Sequence, residues 1–173
     1  MGSARRGAKK PDRGTEVYEA VSRSDPFSIL SAEHALLRQQ FARAFVVQEA
    51  ADPTAIRDAL ATLSASLRLH QRREDLVLYP VCERLFGGKG GAASVLRDDH
   101  AAIAEQLEAL GHESEATGRV SRLRLDVLRN EVDDHFGKEE RVLFPLTAAL
   151  LSGTESSTLA RRLRFPHPDP SKG

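Results

Sequence analysis

The sequence predicts an all-α protein: an antiparallel, up-down-up-down four-helix bundle, preceded by a basic tail and followed by a short helix and a Pro-rich tail. Three observations carry this reading. Four long segments each hold one stripe of apolar residues at alternating steps of three and four, the spacing that keeps side chains on one helix face. Turn and cap signals separate those segments by short connections, which make consecutive helices antiparallel neighbours. The 173 residues are rich in Ala, Leu, Arg and Glu and hold no Trp, which suits one helical domain with a core of its own.

Residues 1–24 are expected to be a disordered tail. Arg5, Arg6, Lys9, Lys10 and Arg13 stand there against Asp12, and such a run reads as solvated rather than as a docking element. Asp25-Pro26 and Asp52-Pro53 each place a capping residue before a proline at the first helical position. They predict helices over 26–50 and 53–86, the second stopped by Gly87, Gly88, Gly90 and Gly91. A third helix is expected over 92–110 or a little beyond, with the polar stretch from Gly111 to Gly118 as a loop. A fourth should run over 119–151, stopped by Ser152-Gly153. The bundle is thus placed at 25–152. A short helix over 156–163 and a tail with three prolines in its last ten residues fill 153–173.

Composition narrows the function. Twenty-five basic residues balance 25 acidic ones, so nothing in the charge favours nucleic acid or an anionic membrane as partner. No stretch approaches the roughly 20 apolar residues of a membrane span, and the N-terminus lacks an apolar signal-peptide core. Cys82 is the only cysteine, so no intramolecular disulfide can form, and a reducing, cytoplasmic compartment is expected.

The stripes hold the functional clue. They read Phe27, Leu30, His34, Leu37, Phe41, Phe45 in the first helix and Ile56, Leu60, Leu63, Leu67, His70, Glu74, Val77, Val81 in the second. In the third they read Leu96, His100, Ile103, Leu107, Leu110, and in the fourth Leu125, Leu128, Val132, His135, Glu139, Val142, Leu146. Four histidines and two glutamates therefore occupy slots where the period asks for apolar side chains. They also repeat. His34 returns as His100, 66 positions on, and the run from His70 to Pro80 returns 65 positions on as His135 to Pro145. The chain is two similar helical hairpins, each with one lone His and one His-x-x-x-Glu.

That constellation points to metal. His and Glu four apart share a helix face and reach one interior point. A buried carboxylate costs on the order of several kcal/mol even after relaxation, and two close together repel. No Lys or Arg occupies the stripe beside Glu74 or Glu139. Divalent cations resolve both problems, and a nitrogen and oxygen set without thiolate suits iron or manganese, with zinc a further option. One such His alone would read as a hydrogen-bonded core residue. Four, two of them at the same offset from Glu and all repeated, do not. Cys82 reads as a small buried residue, and His112 and His167 as solvent-exposed. Glu33, Asp75, Asp99 and Glu140, each one residue from a ligand candidate and turned about 100° from it, read as a solvated or salt-bridging face in preference to a role behind the ligands. Tyr79 and Phe144 read as packing residues that shield the site, and Pro80 and Pro145 should kink or loosen their helices just beyond it.

Together His34, H70-x-x-x-E74-D75 with Leu78-Tyr79-Pro80, D99-H100, and H135-x-x-x-E139-E140 with Leu143-Phe144-Pro145 resemble the hemerythrin-like, or HHE cation-binding, family across residues 26–151. The resemblance implies an antiparallel four-helix bundle holding two non-haem iron ions joined by an oxo or hydroxo bridge. Glu74 and Glu139 would be the bridging carboxylates, and His34, His70, His100 and His135 the terminal ligands. The sequence departs from the oxygen carriers of the family at Ala104, where they hold a further His, and at Glu139, where they use Asp at a spacing of five. It therefore has one histidine fewer and a more open metal, which counts against reversible oxygen carriage. The expected activity is binding or sensing of dioxygen, nitric oxide, or redox or iron status, with a small diatomic or peroxide ligand and a separate protein partner to read out the signal. The alternatives are a di-iron enzyme that decomposes hydrogen peroxide, and iron or zinc binding for storage or structure. The ferritin-like di-iron pattern, Glu-x-x-His on two helices, is not the pattern here.

Overall fold

The computed structural model describes residues 25–88 and 91–164. Helix α1 spans Pro26–Ala50 and α2 spans Pro53–Arg73. A π-helical turn over Glu74–Leu78 joins α2 to α3, Tyr79–Leu85. Helix α4 spans Ala92–Thr117. Helix α5, Arg122–Lys138, continues through a second π-helical turn over Glu139–Leu143 into α6, Phe144–Leu150. Helix α7 spans Gly153–Arg164. Among the described residues there is no β-strand, and no helix is long and apolar enough to cross a membrane.

Local chemistry sets the ends. The Asp25 carboxylate accepts from the N–H groups of Phe27 and Ser28, both at 3.1 Å. Asp52 accepts from Thr54 at 2.9 Å and Ala55 at 3.1 Å. Both prolines sit where a missing N–H costs nothing. The third helix differs from expectation: it continues through Gly111 to Thr117 and stops only at Gly118, whose φ of 67° ends it in the left-handed region. Leu110 and Ser114 are buried on its inner face, and that packing outweighs the modest propensity loss at Gly111. His112 accordingly lies on the exposed side of α4 rather than in a loop. Ser121 caps α5, which starts three residues later than expected. Helix α7 starts three residues earlier, because Ser152 and Glu155 form a reciprocal capping box: Glu155 N–H donates to Ser152 Oγ at 3.3 Å, and Ser152 N–H to Glu155 Oε2 at 3.0 Å.

Helices α1, α2, α4 and α5 pack in a ring, each against the next and α5 back on α1. Two apolar cores fill it. One holds Leu37, Phe41, Leu63, Leu67, Ile103, Leu128 and Val132 among others. The second gathers Leu30, Val77, Leu78, Tyr79, Leu96, Leu143 and Phe144, and Leu159 and Leu163 of α7 complete it. Helix α7 lies against α1 and the first π turn, so it belongs to the body of the fold. On every rod the ligand candidates fall between the residues of one core and those of the other: Leu30 and Leu37 flank His34, and Leu96 and Ile103 flank His100.

The prolines act through the π turns. Pro80 has no N–H and its ring would clash with a carbonyl four residues back. The chain widens just before it instead: Tyr79 N–H bonds to the Glu74 carbonyl, five residues back, and Phe144 N–H bonds likewise to Glu139. Each turn inserts one residue into the helical count and rotates the downstream half of its rod. Val142 and Leu146, expected on the inner stripe, are therefore 51% and 53% exposed, while Leu143, Phe144 and Thr147 face inward. Both turns begin on a site glutamate.

Candidate metal centre

The structure brings all six candidates into the bundle interior, each at most 5% exposed. They form two groups that share Glu74: His34, His70, Glu74 and Glu139, and Glu74, His100 and His135. In the first group His34 Nε2 lies 3.0 Å from His70 Nε2, 3.3 Å from Glu139 Oε2 and 3.8 Å from Glu74 Oε1. His70 Nε2 is 3.1 Å from Glu74 Oε1. In the second, His100 Nε2 lies 3.1 Å from His135 Nε2 and 3.3 Å from Glu74 Oε2. Glu74 thus faces one group with each oxygen. Cys82 belongs to neither: it is buried, with Sγ 3.4 Å from Thr147 Oγ1, and burial pushes its thiol up to about 11. His112 lies apart on the surface of α4. His167 and the basic residues Arg5 to Arg13 fall outside the described residues.

A ring of acids stands behind the histidines, and here the expectation from the sequence is corrected. His70 Nδ1 meets Glu33 at 2.9 Å, His100 Nδ1 meets Asp75 at 3.2 Å, His135 Nδ1 meets Asp99 at 3.3 Å and His34 Nδ1 meets Glu140 at 2.7 Å. Turned about 100° from its neighbouring ligand candidate, each acid reaches not its own helix's histidine but that of the next rod in the ring. Each acid also holds a cation from the same rod as the histidine it serves. Arg73 pairs with Glu33, Arg97 Nε lies 3.6 Å from Asp75, Lys138 Nζ 2.6 Å from Asp99 and Arg38 Nη1 3.1 Å from Glu140. The acids do salt-bridge, as the sequence suggests, and the same carboxylates orient the imidazoles.

The ring decides what the interior asks for. An imidazole that donates Nδ1–H to a carboxylate keeps its lone pair on Nε2. All four Nε2 atoms then point inward, in pairs 3.0 and 3.1 Å apart, and each pair must share a proton or a cation to avoid lone pair facing lone pair. Glu74 Oε1, Glu74 Oε2 and Glu139 Oε2 are buried and have no hydrogen-bond partner among the described residues. Convergent nitrogens and orphaned carboxylate oxygens are repulsive unless a cation lies among them. These residues fit a pair of divalent cations.

A profile of the hemerythrin HHE cation-binding domain matches residues 25–147, and again residues 92–162. The chain belongs to the hemerythrin HHE cation-binding family. The second match starts at α4, where the second hairpin of the repeat begins. Neither a curated protein nor a solved structure gives a match.

The electrostatics of this hemerythrin-like centre show how it balances charge with protons. Burial and the Glu74 charge raise Glu139 well above the usual carboxylate range. Burial also opposes charge on Glu74, but His70, His100 and His34 outweigh it and hold that carboxyl low. Burial opposes charge on His100 as well, and Asp75 and Glu74 overcome it and raise the imidazole to about 9. For His135 burial prevails and lowers it to about 4, the charge on His100 adding to the effect. A cation would take over the neutralising role of those protons and expel them.

Three aromatic residues wall the centre. Phe136 stacks on His34 with centroids 3.8 Å apart and planes at 10°, and Phe144 lies 5.8 Å from the same ring. Tyr79 is fully buried. Its hydroxyl donates to Glu139 Oε1 at 2.8 Å and lies 3.2 Å from His100 Nε2. Sequence reasoning missed Phe136. It sits one residue off the apolar stripe, and its only signal was an aromatic next to His135.

Proposed function

We propose that this family member binds two non-haem iron ions through His34, His70, Glu74, His100, His135 and Glu139 and uses them to bind or sense dioxygen, nitric oxide, or redox or iron status. The observation that carries the reading is the inward convergence of four Nε2 atoms, their tautomer fixed by the outer carboxylates, around two glutamates with orphaned oxygens. Iron, when bound, supplies one-electron redox chemistry and an open coordination position. The protein supplies the rest. Glu33, Asp75, Asp99 and Glu140 hold the imidazoles in register. Phe136, Phe144 and Leu30 exclude water on the His34 side. A lone buried thiol and no disulfide suit a reducing compartment, where ferrous iron is available. With sensing as the role, a separate partner reads the state of the bundle. Manganese and zinc fit the same donors but suit redox sensing less well.

One observation favours a second reading, decomposition of hydrogen peroxide: the Tyr79 hydroxyl lies inside the centre, where a proton donor is needed. Iron content, Mössbauer spectra and oxygen release after peroxide, measured on protein expressed with iron, separate the readings. Two coupled irons per chain and a stable ligand adduct without turnover support binding or sensing. Sustained oxygen release that Tyr79→Phe abolishes supports the enzyme, whereas turnover unchanged in that variant removes Tyr79 from the mechanism. A single zinc per chain would remove the di-iron function and leave a structural site.

A further inference from the structure

The two hairpins repeat, but only the first is covered on its outer side. Helix α7 lies against α1 and the first π turn. Its Leu159 and Leu163 share one apolar cluster with Val77, and Ile29 and Val81 pack against that cluster. Arg84 ties the helix down through Glu155 at 2.9 Å. Under this cover Val77 is 3% exposed. The repeat builds the same groove again on the second hairpin, between α4 and the rod that ends in α6. Ile29 returns 66 positions on as Val95, and Val77, Val81 and Leu85 return 65 positions on as Val142, Leu146 and Leu150. The Glu33–Arg73 pair beside the first groove returns as Asp99–Lys138 beside the second. Among the described residues this groove has no counterpart of α7: Val95, Val142, Leu146 and Leu150 are 54%, 51%, 53% and 53% exposed. The outermost positions change character as well. Glu83 and Arg84 return as the exposed Ala148 and Ala149, so residues 142–150 carry no charge. A contiguous exposed apolar face of this kind marks an interaction site.

We propose that this face docks a second copy of the chain about a twofold axis, α6 of each copy lying in the groove beside α6 of the other. Val142, Leu146 and Leu150 stand four apart, so they form one ridge on the outer side of the rod. Leu159 and Leu163 of α7 fill the first groove with the same spacing. The face thus carries both a groove and the ridge that fits it, which is what a contact between identical surfaces requires. Without charge over residues 142–150, apposing the ridges brings no like charges together along them. Helix α7 of a neighbouring copy is already engaged on its own hairpin, so it is not the element that fills the second groove. The proposal does not depend on what the metal centre binds.

Sedimentation velocity of the full chain over a wide range of concentrations tests this. The protein should pass from monomer to dimer as concentration rises. Leu146→Glu should raise the dissociation constant roughly tenfold or more, as loss of a central apolar contact does. Its helical circular dichroism should stay unchanged, because the side chain is exposed in the single copy. Leu36→Glu, at a comparably exposed leucine on the first hairpin (52%), should leave the dimer intact. A chain that stays monomeric at every concentration would overturn the proposal; that is the result expected if residues 1–24 or 165–173 of the same chain, or a different protein, cover the face. A dimer that survives Leu146→Glu, or one that Leu36→Glu dissociates instead, would overturn it as well.

Discussion

Glu140 Oε1 lies 2.7 Å from His34 Nδ1, across 106 positions of sequence, and the same oxygen takes the Arg38 guanidinium at 3.1 Å. The acid on the last rod of the bundle thus orients the histidine on the first and closes the ring of four such pairs. Glu140→Gln leaves the shape intact but weakens the acceptor. Metal affinity should fall roughly 10- to 100-fold, measured by competition with a chelator of known affinity. His112→Ala, on the exposed face of α4, should change nothing. An unaltered affinity in Glu140→Gln would show that the ring does not govern the ligands.

Glu74 and Glu139 should be the most costly positions for metal content. Alanine at either should lose most bound metal by elemental analysis, because Glu74 faces His70 and His100 with its two oxygens and Glu139 Oε2 lies between His34 and His135. Equal metal content in Glu74→Ala, Glu139→Ala and His112→Ala would contradict the assignment.

Metal-free protein should become less stable as pH rises from about 6.5 to 9, where the unperturbed imidazole loses its proton near 6.5. His34, His70 and His100 are raised above that value by the carboxylates that outweigh their burial, His100 to about 9. The folded state then binds more protons than the unfolded one in this window, so stability is fully present below it and lost through it. Burial raises Glu139 in the same sense, and His135, lowered to about 4, is neutral in both states there. A melting temperature that stays flat or rises across the window in the metal-free protein would refute the charge balance described. Loaded protein should lack the slope, because cations replace the protons.

Phe136 is 1% exposed and stacked on His34. Phe136→Ala should cost about 3–5 kcal/mol of stability by denaturant unfolding, as cavity formation in a core does. It should also weaken metal binding, because His34 loses the ring that fixes its plane. Leu63→Ala, in the apolar core away from the histidines, should cost about 2–5 kcal/mol and leave metal affinity unchanged. A Phe136→Ala protein with wild-type metal affinity would make the ring a packing residue alone.

The bundle, its two-hairpin repeat and the six interior candidates are legible in the sequence alone. The physical reason is period: polar residues in apolar slots are conspicuous, and Asp25-Pro26 and Asp52-Pro53 mark helix starts through purely local hydrogen bonds. The remaining features depend on pairs of helices and appear only once the rods are packed. Glu33, Asp75, Asp99 and Glu140 look solvated along their own rods, and each finds its histidine only on the neighbouring one. The π turns at Glu74 and Glu139 shift the inner face by one residue, so Val142 and Leu146 turn outward although the stripe predicts them inward. Helix α4 runs through Gly111 because Leu110 and Ser114 pack inside. The stacking of Phe136 on His34, and the Tyr79 hydroxyl on Glu139, arise between rods distant in sequence, where no local spacing could announce them.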